Sequence, residues 1–441
     1  MYSQKVLKAL KAKNIKPGDY INVRKNGKVY SGILMPKTEF GDPDALVLKM
    51  DNGYNIGIKF EKGVLIEKSD KKVVKKVSKI PSIAFDPKKP VVSILTCGGT
   101  IASKIDYETG AVYPAFRPEE IVGIVPELKD IANIKSKYVM NLLSSNMHPL
   151  HWPLIAKEVK KAIDDSYGVV ITHGTDTMHY TSAALSFMIQ NLPVPVVLTG
   201  AQRSSDRGSS DSHMNLIASV IAAKSDIAEV MICMHGSSND DFCYLHQGTK
   251  VRKMHTSRRD ALKSINVEPY AKIWYRTGDV QYIRNDFRKR GEKKDMIFDP
   301  RINPNVGLVF VHPGIKPEFI DNLAKFYDGV VLAVMGLGHV PTNKNDKLVN
   351  PIIENVSNLV NSGIPVVVAP QTIYGRLNLN VYDYGRKLEE AGVIGNYCDW
   401  TPETALVKLM WVLGHTKDMK KIKEMMLKNY VGEISEISEM I

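Results

Sequence analysis

Two short stretches hold residues whose types and spacing could do chemistry. Residues 96–102 read TCGGTIA and place Thr100 behind Gly98 and Gly99; residues 169–177 read VVITHGTDT and place Thr175, Asp176 and Thr177 behind Gly174. A β-branched apolar run precedes each turn, so both units read as a buried strand ending in a glycine elbow that presents hydroxyls. Glycine lets the backbone take φ > 0 and approach a ligand closely, and ligands collect at the carboxyl ends of strands in open parallel sheets. Two such units could converge on one small polar molecule. A threonine hydroxyl attacks an acyl carbon poorly at neutral pH unless a base lies within hydrogen-bond reach. Asp176 with a lysine could supply that base, the carboxylate holding the amine. Lys250 and Lys253, in residues 248–259, are the candidate lysines. Bland roles exist for each group: a surface hydroxyl on an ordinary turn for Thr100, a helix N-cap pair for Thr175 and Asp176, a surface charge for Lys253.

The elements that must position these residues follow from the hydrophobic pattern. From residue 90 onward strands alternate with helix-like stretches, the signature of a parallel sheet with right-handed crossovers. Strands are expected at 91–96, 138–143, 168–173, 195–199, 229–234 and 306–311, and helices at 150–165 and 181–191. A second β-α-β unit is expected over 306–335, then a strand at 366–369 and helices at 402–413 and 417–430. Before residue 90 the pattern differs. A short basic helix at 4–13 precedes alternating strands from 20 to 66, punctuated by Asn-Gly pairs that signal hairpins. Five or so strands in so short a span suggest a small β-barrel. The lysine-rich run after residue 67 reads as a linker.

Composition narrows the class. The 441 residues allow two or three domains with buried cores, and 44% hydrophobic with 24% charged residues is a globular balance. No apolar run reaches the roughly 20 residues that span a bilayer, and the first residues lack a signal-peptide core, so a cytoplasmic protein is expected. Four scattered cysteines form no CxxC pair, which suggests neither a disulfide framework nor a thiolate zinc site. A net charge of +12 fits a polyanionic partner such as RNA, though lysine-rich proteins without one are common.

The paired stretches TCGGTIAS and THGTDTM resemble the two threonine signatures of the L-asparaginase family, in the same order. What precedes them, GDYINVRKNGKVYSGILMP and ALVLKMDNGYNIGI, is similar to the extra N-terminal domain of the archaeal Glu-tRNA(Gln) amidotransferase GatD family. The resemblance implies an α/β fold: a parallel-sheet, asparaginase-like two-lobed core preceded by a small all-β barrel domain. The boundaries expected are 1–80 for the barrel domain, 81–89 for a linker, 90–295 for the first catalytic lobe and 296–441 for the second. It also implies a catalytic set of Thr100, Thr175, Asp176 and Lys253, with Lys253 favoured over Lys250 by its offset from residues 260–262. In this family the first threonine is generally regarded as attacking, while the second threonine, the aspartate and the lysine handle protons. By the same resemblance Tyr113 on a mobile loop, Ser144 and Ser145, and Gly174 bind the substrate. Tyr107 is a weaker match than Tyr113, Asn146 stands where many relatives have aspartate, and Asp211 resembles a supporting position.

The expected reaction is release of ammonia from glutamine or asparagine for ATP-dependent conversion of Glu-tRNA(Gln) to Gln-tRNA(Gln). The expected partner is a GatE-like kinase/transamidase from the same amidotransferase. tRNA(Gln) would be met through the complex, which is expected to be a heterotetramer around a homodimer of this chain. No GxxxxGK[ST] occurs, so no cofactor is expected here and ATP with Mg²⁺ is expected on the partner. A free-standing asparaginase with an appended barrel is the alternative, and a non-catalytic RNA-binding or regulatory module is a third reading. Gly336-Leu337-Gly338 lacks the third glycine of a dinucleotide site. His148 with His151, and His173 with His179, fit capping or packing better than metal binding.

Overall fold

A computed structural model describes residues 1–37, 41–52, 54–71, 85–99, 101, 118–205, 208–343 and 346–437, with the backbone alone at 103–105, 112–114 and 118. The helix Gln4–Ala12 opens the chain, with Ser3 capping it through the Val6 amide and with Val6 and Leu10 buried one turn apart. Five antiparallel strands follow: Tyr20–Lys25, Lys28–Leu34, Ala45–Met50, Asn55–Lys59 and Leu65–Lys68. Asn26 and Gly27 both take positive φ between the first two, the geometry that an Asn-Gly hairpin requires. The Asn55 and Leu65 strands are the two ends of this sheet. Among the described residues its hydrogen bonding therefore does not close the expected barrel. Leu34, Leu46 and Leu48 pack with Ile21 and the helix residues Val6 and Leu10 to form its core.

The main sheet has eight strands. Asn133–Leu142, Val91–Gly98, Gly168–Thr172, Val196–Thr199 and Val230–His235 run parallel, as the sequence pattern predicts. Beyond them Cys243–Gln247, Ala271–Trp274 and Asp279–Tyr282 are antiparallel and extend the parallel core into a mixed sheet. The cause is chain length. Residues 236–242 are too few for a parallel crossover, which takes a dozen or more, so the chain must fold straight back. In the Val91 strand successive residues serve opposite layers: Leu95 and Cys97 pack with the helices Trp152–Ile163 and Met178–Met188, while Val92 and Ile94 pack with Ser212–Ala222.

Three further strands, Val306–Phe310, Gly329–Val334 and Val366–Pro370, form a separate parallel sheet. The helix Pro402–Leu413 begins at the predicted residue, capped by Thr401 through the Thr404 amide. It joins the two sheets: Val331, Val367 and Trp411 share one apolar core with Phe187 and Met188, and the Phe187 and Trp411 rings stack at 5.8 Å. The two expected lobes thus share a core. Two ion pairs lie wholly inside it, Lys250 with Asp399 at 2.8 Å and Lys408 with Glu433 at 2.6 Å. Burial pulls both lysines below their ordinary pKa, and the facing carboxylates oppose that shift. Removing one partner would strand a buried charge, at a cost of about 3–5 kcal/mol.

Candidate active site

The Val91 and Gly168 strands are neighbours, with Thr96 opposite Thr172, so their carboxyl ends emerge side by side. Gly98 and Gly99 both have positive φ. A Cβ on Gly99 would stand 2.9 Å from the carbonyl oxygen of His173, and one on Gly98 would stand 2.2 Å from that of Leu142. The glycines are there because backbone meets backbone at both places. Thr100 itself lies outside the described residues, as does Tyr107. Tyr113 belongs to the strand Val112–Pro114, its backbone opposite Lys104, and its side chain is likewise outside the described set.

Beyond the second elbow the N-cap residue of the following helix is Thr177, and no side chain caps that helix. Thr175 and Asp176 therefore do not form the capping pair that their types allow. They face a lysine instead. Lys253 Nζ donates to Thr175 Oγ1 at 2.9 Å and to Asp176 Oδ1 at 2.7 Å. The lysine side chain is 12% exposed and that of Asp176 65%. The hydrogen bond from Lys253 is the largest cause holding the Asp176 carboxyl below its ordinary pKa of 3.8. Lys250, the other candidate, is consumed in the buried pair with Asp399. Of the two lysines weighed, Lys253 alone reaches the turn.

Ser144 sits beneath this contact. Its hydroxyl accepts from the Asp176 amide at 3.3 Å and donates to Asp176 Oδ2 at 3.4 Å, while its carbonyl accepts from Thr177 Oγ1 at 2.8 Å. Ser144 is buried, whereas Ser145 is exposed. Gly174 allows this packing, since a Cβ there would stand 2.7 Å from the Ser144 Cβ and Oγ. Asp211 is buried further off, accepting from the Gln202 and Arg203 amides and from Asn215 Nδ2, where it shapes a loop. In a short helical turn the His151 ring accepts from the His148 amide and the His148 ring from the Leu150 amide, and His173 lies under the Gly174 turn, bonded to the Gly174 carbonyl and to Thr181. Among the described residues no three His, Cys, Asp or Glu side chains gather as metal ligands would.

An open pocket of about 440 Å³ adjoins the lysine, lined by Asp176, His179, Tyr180, Arg252, Lys253 and Glu403 among others. Sequence reasoning missed Arg252 and Glu403. Their 2.7 Å ion pair joins residues 151 apart in the chain, and no local pattern announces it. Tyr180 was hidden differently: it lies in the first turn of a helix whose residues are nearly all buried, so no polar face marks it, and His179 beside it reads from sequence as a packing residue.

Comparison with known proteins identifies the family. Residues 91–288 match the family described as asparaginase, N-terminal; residues 305–426 match the glutaminase/asparaginase C-terminal domain; residues 15–71 match the GatD N-terminal domain. The D-type subunit of the glutamyl-tRNA(Gln) amidotransferase of Pyrococcus abyssi is 52% identical over 439 residues, covering 97% of this chain and 96% of its own. That of Methanobrevibacter smithii is 48% identical, covering 100% and 98%. Among solved structures, the thermostable L-asparaginase from Thermococcus kodakarensis superimposes with a TM-score of 0.70 at 34% identity, covering 78% of this chain and 99% of its own. L-asparaginase I from Vibrio cholerae gives 0.67 at 29% identity, covering 79% and 99%. The chain belongs to the family of D-type (GatD) glutamyl-tRNA(Gln) amidotransferase subunits.

Proposed function

We propose that this chain is the amide-hydrolysing component of a tRNA-dependent amidotransferase, releasing ammonia from glutamine or asparagine. The observation that carries the reading is Lys253 Nζ within hydrogen-bond distance of both Thr175 Oγ1 and Asp176 Oδ1. With Lys253 acting as the free amine, a hydroxyl oxygen attacks the carboxamide carbon and its proton passes by way of the Thr175 hydroxyl to that amine. The tetrahedral intermediate collapses, the C–N bond breaks, and the proton leaves on ammonia. Water then hydrolyses the acyl ester, giving the free acid and restoring the hydroxyl. Thr100 is the attacking residue in this scheme. Asp176 anchors the amine of Lys253, and Ser144 orients Asp176 from below. Tyr113, Ser145 and Gly174 complete the substrate side.

The partner in this scheme is a GatE-like kinase/transamidase that carries ATP and Mg²⁺ and activates the γ-carboxylate on Glu-tRNA(Gln). Two copies of this chain form the centre of the assembly, and the complex works in the cytoplasm. Among the described residues no helix is long and apolar enough to cross a membrane. The test is to purify the chain from its source and identify what accompanies it. A stoichiometric carboxylate-activating ATPase, with Gln-tRNA(Gln) formed from Glu-tRNA(Gln) and an amide donor, is the expected result. Amide hydrolysis at full rate by a chain with no partner would select the free-standing asparaginase.

Two further outcomes are expected. Removing residues 1–89 should leave amide hydrolysis within about threefold but lower Gln-tRNA(Gln) formation by about tenfold or more, an ~1.4 kcal/mol loss of coupling. A truncated chain that supports full conversion would give the first domain another role. Gly174→Ala should lower kcat by about 10²-fold, because the new methyl displaces Ser144 and with it Asp176, and misplacements near 1 Å cost that much. Unchanged ammonia release in a folded Gly174→Ala variant would reject the packing argument.

A further inference from the structure

Lys253 stands on a poor foundation of its own. It ends the strand Val251–Lys253, which among the described residues pairs with Leu262–Ser264 alone, in a two-stranded sheet apart from the eight-stranded one. Three residue pairs cannot hold a side chain to within an ångström. The hairpin is gripped from the second lobe instead. Thr404 Oγ1 donates to the Thr249 carbonyl at 2.8 Å, the Lys250 ammonium pairs with Asp399 at 2.8 Å, and Arg252 Nε donates to Glu403 Oε1 at 2.7 Å. The last of these ties falls on the residue immediately before Lys253.

We infer that Glu403 is a positioning residue for amide hydrolysis, holding the lysine hairpin in register with the Thr175–Asp176 turn through Arg252. The inference rests on the proposed role of Lys253 and adds how its position is set. Glu403 is 4% exposed, and its other oxygen is buried without a hydrogen-bond partner. A half-satisfied carboxylate is a costly way to fill space, and an apolar side chain would pack there more favourably. What the carboxylate provides is direction for Arg252. The helix that carries it, Pro402–Leu413, also packs on Met178–Met188, which begins two residues after Asp176. One helix thereby touches both halves of the Lys253–Asp176 contact. A shift of that helix against the main sheet would stretch bonds of 2.7–2.9 Å beyond useful length.

The experiment uses the full chain with its co-purifying partner and measures ammonia release from the amide donor in Glu403→Gln, Arg252→Met and the double variant. Each single change is expected to lower kcat about tenfold with KM within about twofold, and the double is expected to be no worse than the poorer single. Those changes break one tie, so their effects should not multiply. A 100-fold loss in the double, an effect confined to KM, or an unchanged kcat in folded Glu403→Gln would overturn the inference. Should Glu403→Gln fail to fold, Arg252→Met breaks the same tie from its other end, and an unchanged kcat there would overturn it equally. Absence of amide hydrolysis in the unaltered complex would instead reject the proposed function, so the two failures are distinguishable.

Discussion

Lys253→Met is expected to abolish amide hydrolysis, lowering kcat by about 10³-fold, within the 10²–10⁴ that a positioned proton-transfer group supplies. The fold should survive the change. Asp176, the carboxylate left behind, is 65% exposed and can be hydrated, so no buried charge is stranded. This contrasts with Lys250, three residues earlier, whose loss would leave Asp399 charged and buried. The same substitution at two nearby lysines should therefore separate cleanly: Lys253→Met loses activity and keeps its thermal midpoint, and Lys250→Met loses stability. Thr175→Val should match Lys253→Met, and the double variant should fall little further, because residues that work as a unit do not contribute additively. Thr100→Val should be as severe. Turnover within tenfold of the unaltered chain in folded Lys253→Met would remove the proton-transfer scheme.

The contact also predicts a pH dependence. Asp176 is held below its ordinary pKa chiefly by the hydrogen bond from Lys253. A carboxyl depressed in the folded state contributes fully above its unfolded value and is lost only as pH falls through the lower folded value. The lysine's anchor therefore outlasts ordinary carboxylates on acidification. Protonation of Asp176 should therefore contribute nothing to a loss of activity at pH values well above its ordinary 3.8.

How much of this was legible in the residues differs from element to element. The Val91 and Gly168 strands were readable because a parallel strand buried on both faces is a continuous apolar run, and glycines mark where it ends. The antiparallel edge was not, since Cys243–Gln247 and Ala271–Trp274 are short and broken by His246, Gln247 and Lys272, and only the seven residues at 236–242 betray the reversal. Ser212–Ala222 escaped because it is buried on nearly every side, which leaves no amphipathic period to detect. The Asn133 strand was placed five residues late, its first half being rich in lysine and asparagine. At the site, Thr175, Asp176 and Lys253 could be named from local motifs and family offset. Glu403 could not, because its partnership with Arg252 exists only once the second lobe has packed against the first.

Acid should weaken the fold well before it titrates the site's carboxylate. Burial drives His173 and His179 down to about 4 and His246 to about 3, from 6.5. His173 shows why protonation is resisted. Trp152 Nε1 donates to Thr181 Oγ1, whose hydroxyl can turn toward His173 Nε2, while His173 Nδ1 donates to the Gly174 carbonyl. This neutral ring is fully satisfied, and burial opposes a second proton. His246 has only Ser264 as partner, on its Nδ1, and its Nε2 is buried without one. A histidine whose folded pKa is depressed costs stability as pH falls below 6.5, because the unfolded chain takes up the proton first. At pH 5 each of the three has cost about 2 kcal/mol, at ~1.36 kcal/mol per pH unit. Glu229 works the other way: burial raises it from 4.5 to about 7, so its folded form gains a proton as pH drops. Its return at pH 5 is about 3 kcal/mol, leaving a net loss of about 3 kcal/mol against a typical total of 5–15 kcal/mol. Urea unfolding at pH 8, 6.5 and 5 should show the midpoint falling mainly between the last two. His246→Gln should flatten that fall, and Glu229→Gln should steepen it. A midpoint constant from pH 7 to 5, or an unchanged slope in both variants, would mean that these rings are not held neutral by the fold, and the loss beneath the Gly174 turn would need another cause.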